Sequence, residues 1–328
     1  IGSLNISGRG GTNLKNFLDL RQIMRENNLA VVAIQESHLN DLLLMEVNTK
    51  LRGFQVVKGD MGNSTNTAGV AFMINNDILQ QEGHTIKIKE LIEGRALHVI
   101  LPLKNGTQLE LLNIYAPNVD TEMITFLENL ILKMETSQEL MNPTILGDFN
   151  WTENALDRYP MREEPNERVR ALFNEIFARW NLIDGWRTTN SNVREFTHRH
   201  VNGNKTISAS RLDKIYISRD NFIWSFEWKI QRTYISDHDM VMVTLVDEKL
   251  PYLGKGLWRL RPDTLKDKAF RARAKALLIE AQDSITTYKI RTKAMTEEQI
   301  LYIRKERSIQ HIILELKQKI QQIAKHVD

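Results

Sequence analysis

The stretch RALHVILPLKNGTQLELLNIYAPN, residues 95–118, constrains the fold more than any other. Two β-rich runs flank Asn105-Gly106, a pair suited to the positive φ angles of a two-residue type I′ turn, so the stretch predicts adjacent antiparallel strands. REFTHRH and SASRLDKIYIS around the turn VNGN predict a second hairpin over residues 194–218. Elsewhere strand and helix patterns alternate. Residues 1–6, 29–37, 67–75, 143–150 and 240–246 are apolar runs of strand length, and residues 13–27, about 121–140 and 167–180 carry apolar residues at helical spacing. Alternation interrupted by hairpins favours an α/β sandwich with mixed sheets over a doubly wound parallel fold.

From about residue 257 the strand patterns stop, and a helical tail follows. Its last part sets Ile309, Ile313, Leu316, Ile320, Ile323 and Val327 at alternating steps of four and three, as in a short coiled coil or a helix packed on a further domain. The division expected is an α/β domain over 1–248 and a basic helical linker over 249–328. Residues 255–328 hold 17 Lys and Arg against 9 Asp and Glu, whereas the remainder holds 27 against 32. Such asymmetry fits nucleic-acid contact, and it fits a solvated basic helix as well. The chain begins at Ile1 without a methionine and stops inside a helical pattern, so it reads as a piece of a longer polypeptide.

With no cysteine, a disulfide framework, thiolate zinc sites and thiol nucleophiles are excluded, and any metal must be held by oxygen or imidazole. No apolar run reaches the ~18 residues of a membrane span, and no signal-peptide pattern opens the chain. An intracellular protein without a membrane segment is expected.

Polar residues fall at the ends of several predicted strands: Asn5, Glu36, Asp148 with Asn150, Asp213, and Asp237 with His238 in YISDHDMV. Each alone is commonly a solvated loop residue. Together they describe a pocket of carboxylates and one imidazole, suited to a hard, oxygen-loving cation. Phosphodiester hydrolysis asks for this set: charge neutralisation on the phosphate, a base for water, and stabilisation of the leaving oxygen.

The words LN (4–5), QES (35–37), IYAPN (114–118), GDFN (147–150), RLDKIYIS (211–218) and SDH (236–238) follow one another as in the endonuclease/exonuclease/phosphatase (DNase I-like) superfamily, and their wording resembles the endonuclease of LINE-type, non-LTR retrotransposons. The resemblance spans nearly all of residues 1–246, and GKGLWRL is similar to the segment preceding the reverse transcriptase in such elements. It implies a four-layer α/β sandwich of two mixed, largely antiparallel sheets, a Mg²⁺-dependent activity in which Mn²⁺ substitutes, double-stranded DNA as substrate, a downstream reverse transcriptase domain in the same polypeptide, and a nuclear location. Carried over by position, Glu36 with Asn5 holds the metal and Asp237 lies near it. Asp148 positions or deprotonates water, Asn150 and Tyr115 bind phosphate oxygens, and His238, oriented by Asp213, contacts the scissile phosphate. Thr197 and Ser236 are matched to positions near the phosphate. Around the second hairpin, Asn202 and Asn204 suit base edges, and Arg199 and Lys205 suit phosphates. One departure is Ser7, where many relatives carry Asp or Asn.

Other features read as structural. SGRGGTN (7–13) lacks the ending of a phosphate-binding loop. His198 and His200 form an H-x-H without a third ligand nearby and read as DNA-facing or solvated, His98 as a core residue, and Phe222, Trp224, Phe226 and Trp228 as one packed strand face. Three functions are compatible: a DNA-nicking endonuclease of a retrotransposon, another phosphoesterase such as an abasic-site repair nuclease or a lipid phosphatase, and a binding module that has lost catalysis. The intact set Glu36, Asp148, Asn150, Asp213 and His238 speaks against the last.

Overall fold

The computed structural model describes residues 1–7, 13–59, 69–79, 86–103, 106–137, 140–162, 166–202, 205–246, 264–293, 295 and 309–325. Two compact units divide at Leu250 and Pro251. In the first, fifteen strands are described: β1 (Gly2–Asn5), β2 (Val31–Gln35), β3 (Phe54–Lys58), β4 (Ala71–Asn75), β5 (Lys87–Ile92), β6 (Ala96–Pro102), β7 (Gln108–Tyr115), β8 (Thr144–Asp148), β9 (Arg158–Tyr159), β10 (Leu182–Asp184), β11 (His198–Asn202), β12 (Lys205–Ser210), β13 (Asp213–Ser218), β14 (Ser225–Gln231) and β15 (Met240–Leu245). The helices are α1 (Leu14–Glu26), α2 (Asp41–Lys50), α3 (Asn76–Leu79), α4 (Asp120–Thr136), α5 (Glu167–Arg179), α6 (Gly185–Thr189) and α7 (Arg219–Phe222) in this unit, and α8 (Lys268–Thr292) and α9 (Ile309–Lys325) in the second.

Two six-stranded sheets run in the orders β14-β15-β1-β2-β4-β3 and β10-β13-β8-β7-β6-β5, and a small third sheet in the order β11-β12-β9. Among the described strand pairs, only β1 with β2 and β7 with β8 are parallel, and the others are antiparallel. The alternation of side chains explains the layering. In β2, Val31 and Ala33 face Leu97, Val99 and Leu146 of the opposite sheet, while Val32 and Ile34 pack on Phe17 and Leu20 of α1 and Val47 of α2. The outer face of the second sheet packs on Phe126 and Leu127 of α4 and Phe173 and Ile176 of α5. A strand covered on both faces has no polar face to show, which is why these segments read as unbroken apolar runs. The result is the four-layer sandwich with mixed, largely antiparallel sheets.

The hairpin over 95–118 is β6 and β7, with Pro102 opposite Gln108. Its connection is longer than two residues: Gly106 has φ of 80° and donates to the Leu103 carbonyl, and Leu103 donates to Thr107. Asn105 lies outside the described residues, as does most of SGRGGTN. The second hairpin differs from expectation. Its return limb splits into β12, which pairs with β11 and β9, and β13, which joins the second large sheet beside β8. The break falls at Arg211, whose guanidinium is fully buried between Asp157 (2.8 and 2.8 Å) and Asp184 (2.5 Å). The aromatic run 222–228 is not one packed face either: Phe222 belongs to α7, Trp224 to a turn, and Phe226 is half exposed beside the bulge at Glu227 that separates it from buried Trp228.

Gly147 shows how closely β8 is seated. Its φ is 149°, and a Cβ there would lie 1.9 Å from the Ile114 carbonyl oxygen of β7. Gly147→Ala is therefore expected to destabilise the domain by at least ~2 kcal/mol, measured as a fall in denaturation midpoint. In the second unit, α8 and α9 pack together and leave Lys268, Arg271, Arg273 and Lys275 exposed along the first turns of α8. No described helix is long and apolar enough to cross a membrane.

Candidate active site

The strand directions assemble the site. β1, β2, β7 and β8 end at one edge of the sandwich, and β13 and β15 begin there, so residues that follow four strands meet residues that precede two others. Tyr115, Asp148 and Asp213 sit side by side in register across β7, β8 and β13. Asn5 closes β1 opposite Gln35, and Glu36 follows at once on β2. Glu36 and Asn150 have φ of 52° and 45°, left-handed values that a non-glycine residue adopts at a cost and that cluster at functional sites.

One amide nitrogen joins the two halves. Asn5 Nδ2 donates to Glu36 Oε1 (3.1 Å) and to Asp148 Oδ2 (3.0 Å), while its Oδ1 accepts from the Ser7 amide. The Tyr115 hydroxyl also donates to Glu36 Oε1 (3.0 Å). Burial first, and then the Glu36 charge, raise the phenol well above its usual range and keep it a donor. Glu36 is half-buried, and among the described residues no hydrogen bond reaches its Oε2.

Behind these lies a second pair. His238 Nδ1 meets Asp213 Oδ2 at 2.8 Å with both residues buried, and Asp213 Oδ1 has no partner among the described residues. Burial opposes a charged imidazole, but Asp213, then Asp148 and Asp237, outweigh it and raise His238 to about 10. Asp148, on the same scale, is raised to about 6 by burial and by the Asp213 charge, against the pull of His238 and of donors from Asn150 and Asn5. The ligand atoms of Asp148, Asp213 and His238 lie within 4.8 Å of one another. Grouped so closely, the three could hold a cation, and with His238 protonated they could instead pass protons. Glu36, with Oε2 still open, could hold a hard divalent ion, with the Asn5 Oδ1 that now accepts from Ser7 as a second oxygen.

The remaining candidates divide. The Asn150 amide donates to the Ala116 carbonyl (2.8 Å) with one hydrogen and keeps the other, and its backbone N–H donates to Asp148. Ser7, with φ of 45°, donates its hydroxyl to Asp237, so this side chain ties the Asp237 loop to β1. Ser236 is turned inward: its hydroxyl donates to the Asn5 carbonyl (2.6 Å) and accepts from the His238 amide (3.0 Å). Thr197 is fully buried, and its hydroxyl accepts from the amides of Leu212 and Asp213 (3.0 Å each). Arg199 pairs with Asp239. Asn202 is exposed on β11. Asn204 and the Lys205 side chain lie outside the described residues.

Three residues that the sequence reading passed over underlie the site. Gln35 donates to Ser3 (3.2 Å) and Asn113 (2.7 Å), and Asn113 donates to the carbonyls of Ile34 and Ala71 (2.9 Å each). This polar bridge joins the two sheets one step below Asn5, Glu36 and Tyr115. Its signal was present: Ser3 and Asn113 stand two residues before Asn5 and Tyr115, polar residues in otherwise apolar strands.

Residues 2–238 match the sequence pattern of the Endonuclease/Exonuclease/phosphatase family. Over 273 residues the chain is 29% identical to the Transposon TX1 uncharacterized 149 kDa protein of Xenopus laevis, which covers 82% of the chain. The match takes up 20% of that relative's length. Among solved structures, the AP endonuclease LMAP of Leishmania major is similar with a TM-score of 0.60 and 18% identity, covering 75% of this chain and 87% of its own. The endonuclease domain of TRAS1, a telomere-specific non-LTR retrotransposon, gives 0.55 and 15%, covering 76% and 98%. An AP endonuclease from Archaeoglobus fulgidus gives 0.59 and 15%, covering 74% and 98%.

Proposed function

The chain belongs to the endonuclease/exonuclease/phosphatase family, and within it we propose a divalent-metal-dependent endonuclease that nicks double-stranded DNA to serve a retrotransposon. The observation that carries this reading is the junction made by Asn5, where an open glutamate oxygen and a buried proton-handling trio face one another at the sandwich edge. Mg²⁺, or Mn²⁺ in its place, held by Glu36 and Asn5 with Asp237 nearby, would neutralise charge growing on the phosphate oxygens. Asp148, once ionised, takes the proton of the attacking water. His238, kept cationic, donates to the phosphate, and Tyr115 and Asn150 donate from the flank. The similarity to a transposon protein over most of the chain supports the retrotransposon setting, and with it a downstream reverse transcriptase domain and a nuclear site of action. The AP endonuclease folds support the alternative of an abasic-site nuclease.

Plasmid nicking, cleavage of an abasic oligonucleotide and phosphate release from a phosphoinositide, each with and without chelator, test the proposal. Metal-dependent nicking of intact plasmid is expected. Cleavage confined to the abasic strand would transfer the chain to repair, and phosphoinositide turnover alone would remove DNA as its substrate.

The pH profile follows from the two displaced groups. Asp148 acts as a base only when ionised, so the rate should rise through about pH 6. His238 acts only when protonated, so the rate should hold until it falls near pH 10. Single-turnover nicking across this range checks both limbs. An alkaline fall near pH 7 would mean that His238 is not held cationic.

A further inference from the structure

Arg199 sits on a hairpin expected to meet DNA, yet its guanidinium is bound to an acid. We infer that the Arg199–Asp239 ion pair locks the base of this hairpin to the His238 segment, making Arg199 a positioning residue that governs turnover rather than DNA affinity. The inference rests on the nuclease reading above.

Three successive residues at the base of the hairpin grip the His–Asp pair from both sides. Thr197 accepts the amide of Asp213 on its hydroxyl (3.0 Å) and the amide of Asp239 on its carbonyl (2.7 Å), so one residue holds both Asp213 and the residue next to His238. His198 forms an isolated β-bridge with His238, and the two imidazoles lie 4.7 Å apart between centroids at 38°. Arg199 then closes on Asp239, the residue after His238, whose side chain is only 7% exposed. A carboxylate so buried requires a cation, and Arg199 is its ion partner among the described residues. Asp239 thus neutralises the charge that a phosphate would otherwise seek.

The hairpin is also divided by a register shift between His200 and Val201. A bulge bends and re-aims the strand beyond it. Residues 197–200 therefore belong mechanically to the His–Asp pair, while the tip with Asn202 is separately oriented.

The test is a double-mutant cycle of Arg199→Ala, Asp239→Ala and the pair, with Arg199→Lys alongside. Measured on nicked plasmid, each single change is expected to lower kcat at least ~10-fold, with the double no worse than either single and Lys partly restoring the rate. KM and the salt slope of DNA binding should not move. The outcome separates two chemistries because Asp239 is an acid. If Arg199 instead held a phosphate, Arg199→Ala would raise KM and flatten the salt slope, while Asp239→Ala would leave the rate alone or tighten binding; that pattern overturns the lock. Amide exchange supplies a readout independent of activity. The Asp239 amide, bonded to Thr197, should exchange faster in Arg199→Ala, and unchanged protection overturns the inference even if the wild type proves to cleave no DNA. Should the alanine variants fail to fold, Arg199→Gln and Asp239→Asn carry the same cycle.

Discussion

Glu36→Ala is expected to lower nicking by at least ~100-fold, a loss of about 3 kcal/mol of transition-state stabilisation, while the domain stays folded. The expectation comes from where Glu36 stands. It is half-buried beyond the end of β2, outside the apolar layers, and its oxygens face Asn5, Tyr115 and open space. Alanine in the same left-handed conformation adds no new backbone strain, because glutamate already bears it. Asn5 keeps its contact with Asp148. A clamp for Tyr115 would predict similar geometry but a different mutational pattern, and Glu36→Gln separates the two. Glutamine still accepts from Asn5 and Tyr115 through its carbonyl, so a clamp would survive, whereas a ligand for a hard cation has lost its charge. The glutamine variant should therefore fall nearly as far as alanine, with an unchanged melting midpoint. Nicking that persists in glutamine, or in wild type under excess chelator, would refute the metal role.

What the sequence disclosed of this site follows from locality. Glu36, Asp148 and Asp213 were visible because each is a polar residue at the edge of an apolar run, and strand ends are readable from pattern alone. The sandwich was visible for the same reason: runs apolar on both faces demand cover on both sides. Relations between distant segments were not visible. Nothing beside Arg211 in the sequence points to Asp157 and Asp184, 54 and 27 residues earlier, which the fold brings around it in the buried core. Arg199 reads as a phosphate contact until β15 delivers Asp239. Thr197, matched to a position near the phosphate, spends its hydroxyl on two backbone amides of the β13 start. The aromatic run misled because period two predicts a single face only within one regular strand, whereas Phe222 lies in α7, Trp224 in a turn, and a bulge at Glu227 parts Phe226 from Trp228. Residue types at strand ends are local facts, whereas the partner of a buried charge is a tertiary one.

Asp213→Ala and His238→Ala should each cost the enzyme ~100-fold or more, and the double variant should be no slower than His238→Ala alone. The reason is geometric and electrostatic at once. Asp213 is fully buried, touches His238 at 2.8 Å and faces no solvent, so its route to the substrate runs through the imidazole. Without Asp213, burial is no longer outweighed to the same degree, and His238 should lose its proton well below pH 10. The Asp213→Ala rate should then recover as the pH is lowered, until Asp148 begins to protonate, at a lower pH than in the wild type because the Asp213 charge that helps to raise it is gone. Stability carries the same signature. A histidine whose folded pKa is raised from 6.5 to about 10 contributes stability that is fully present below pH 6.5 and is lost as pH climbs through about 10. Wild type should show that alkaline decline in denaturation midpoint, and His238→Ala should not. A double variant that loses the full product of the two single effects would mean that Asp213 works on something other than His238. The free Oδ1 of Asp213, buried without a partner among the described residues, marks where that second role would have to be sought.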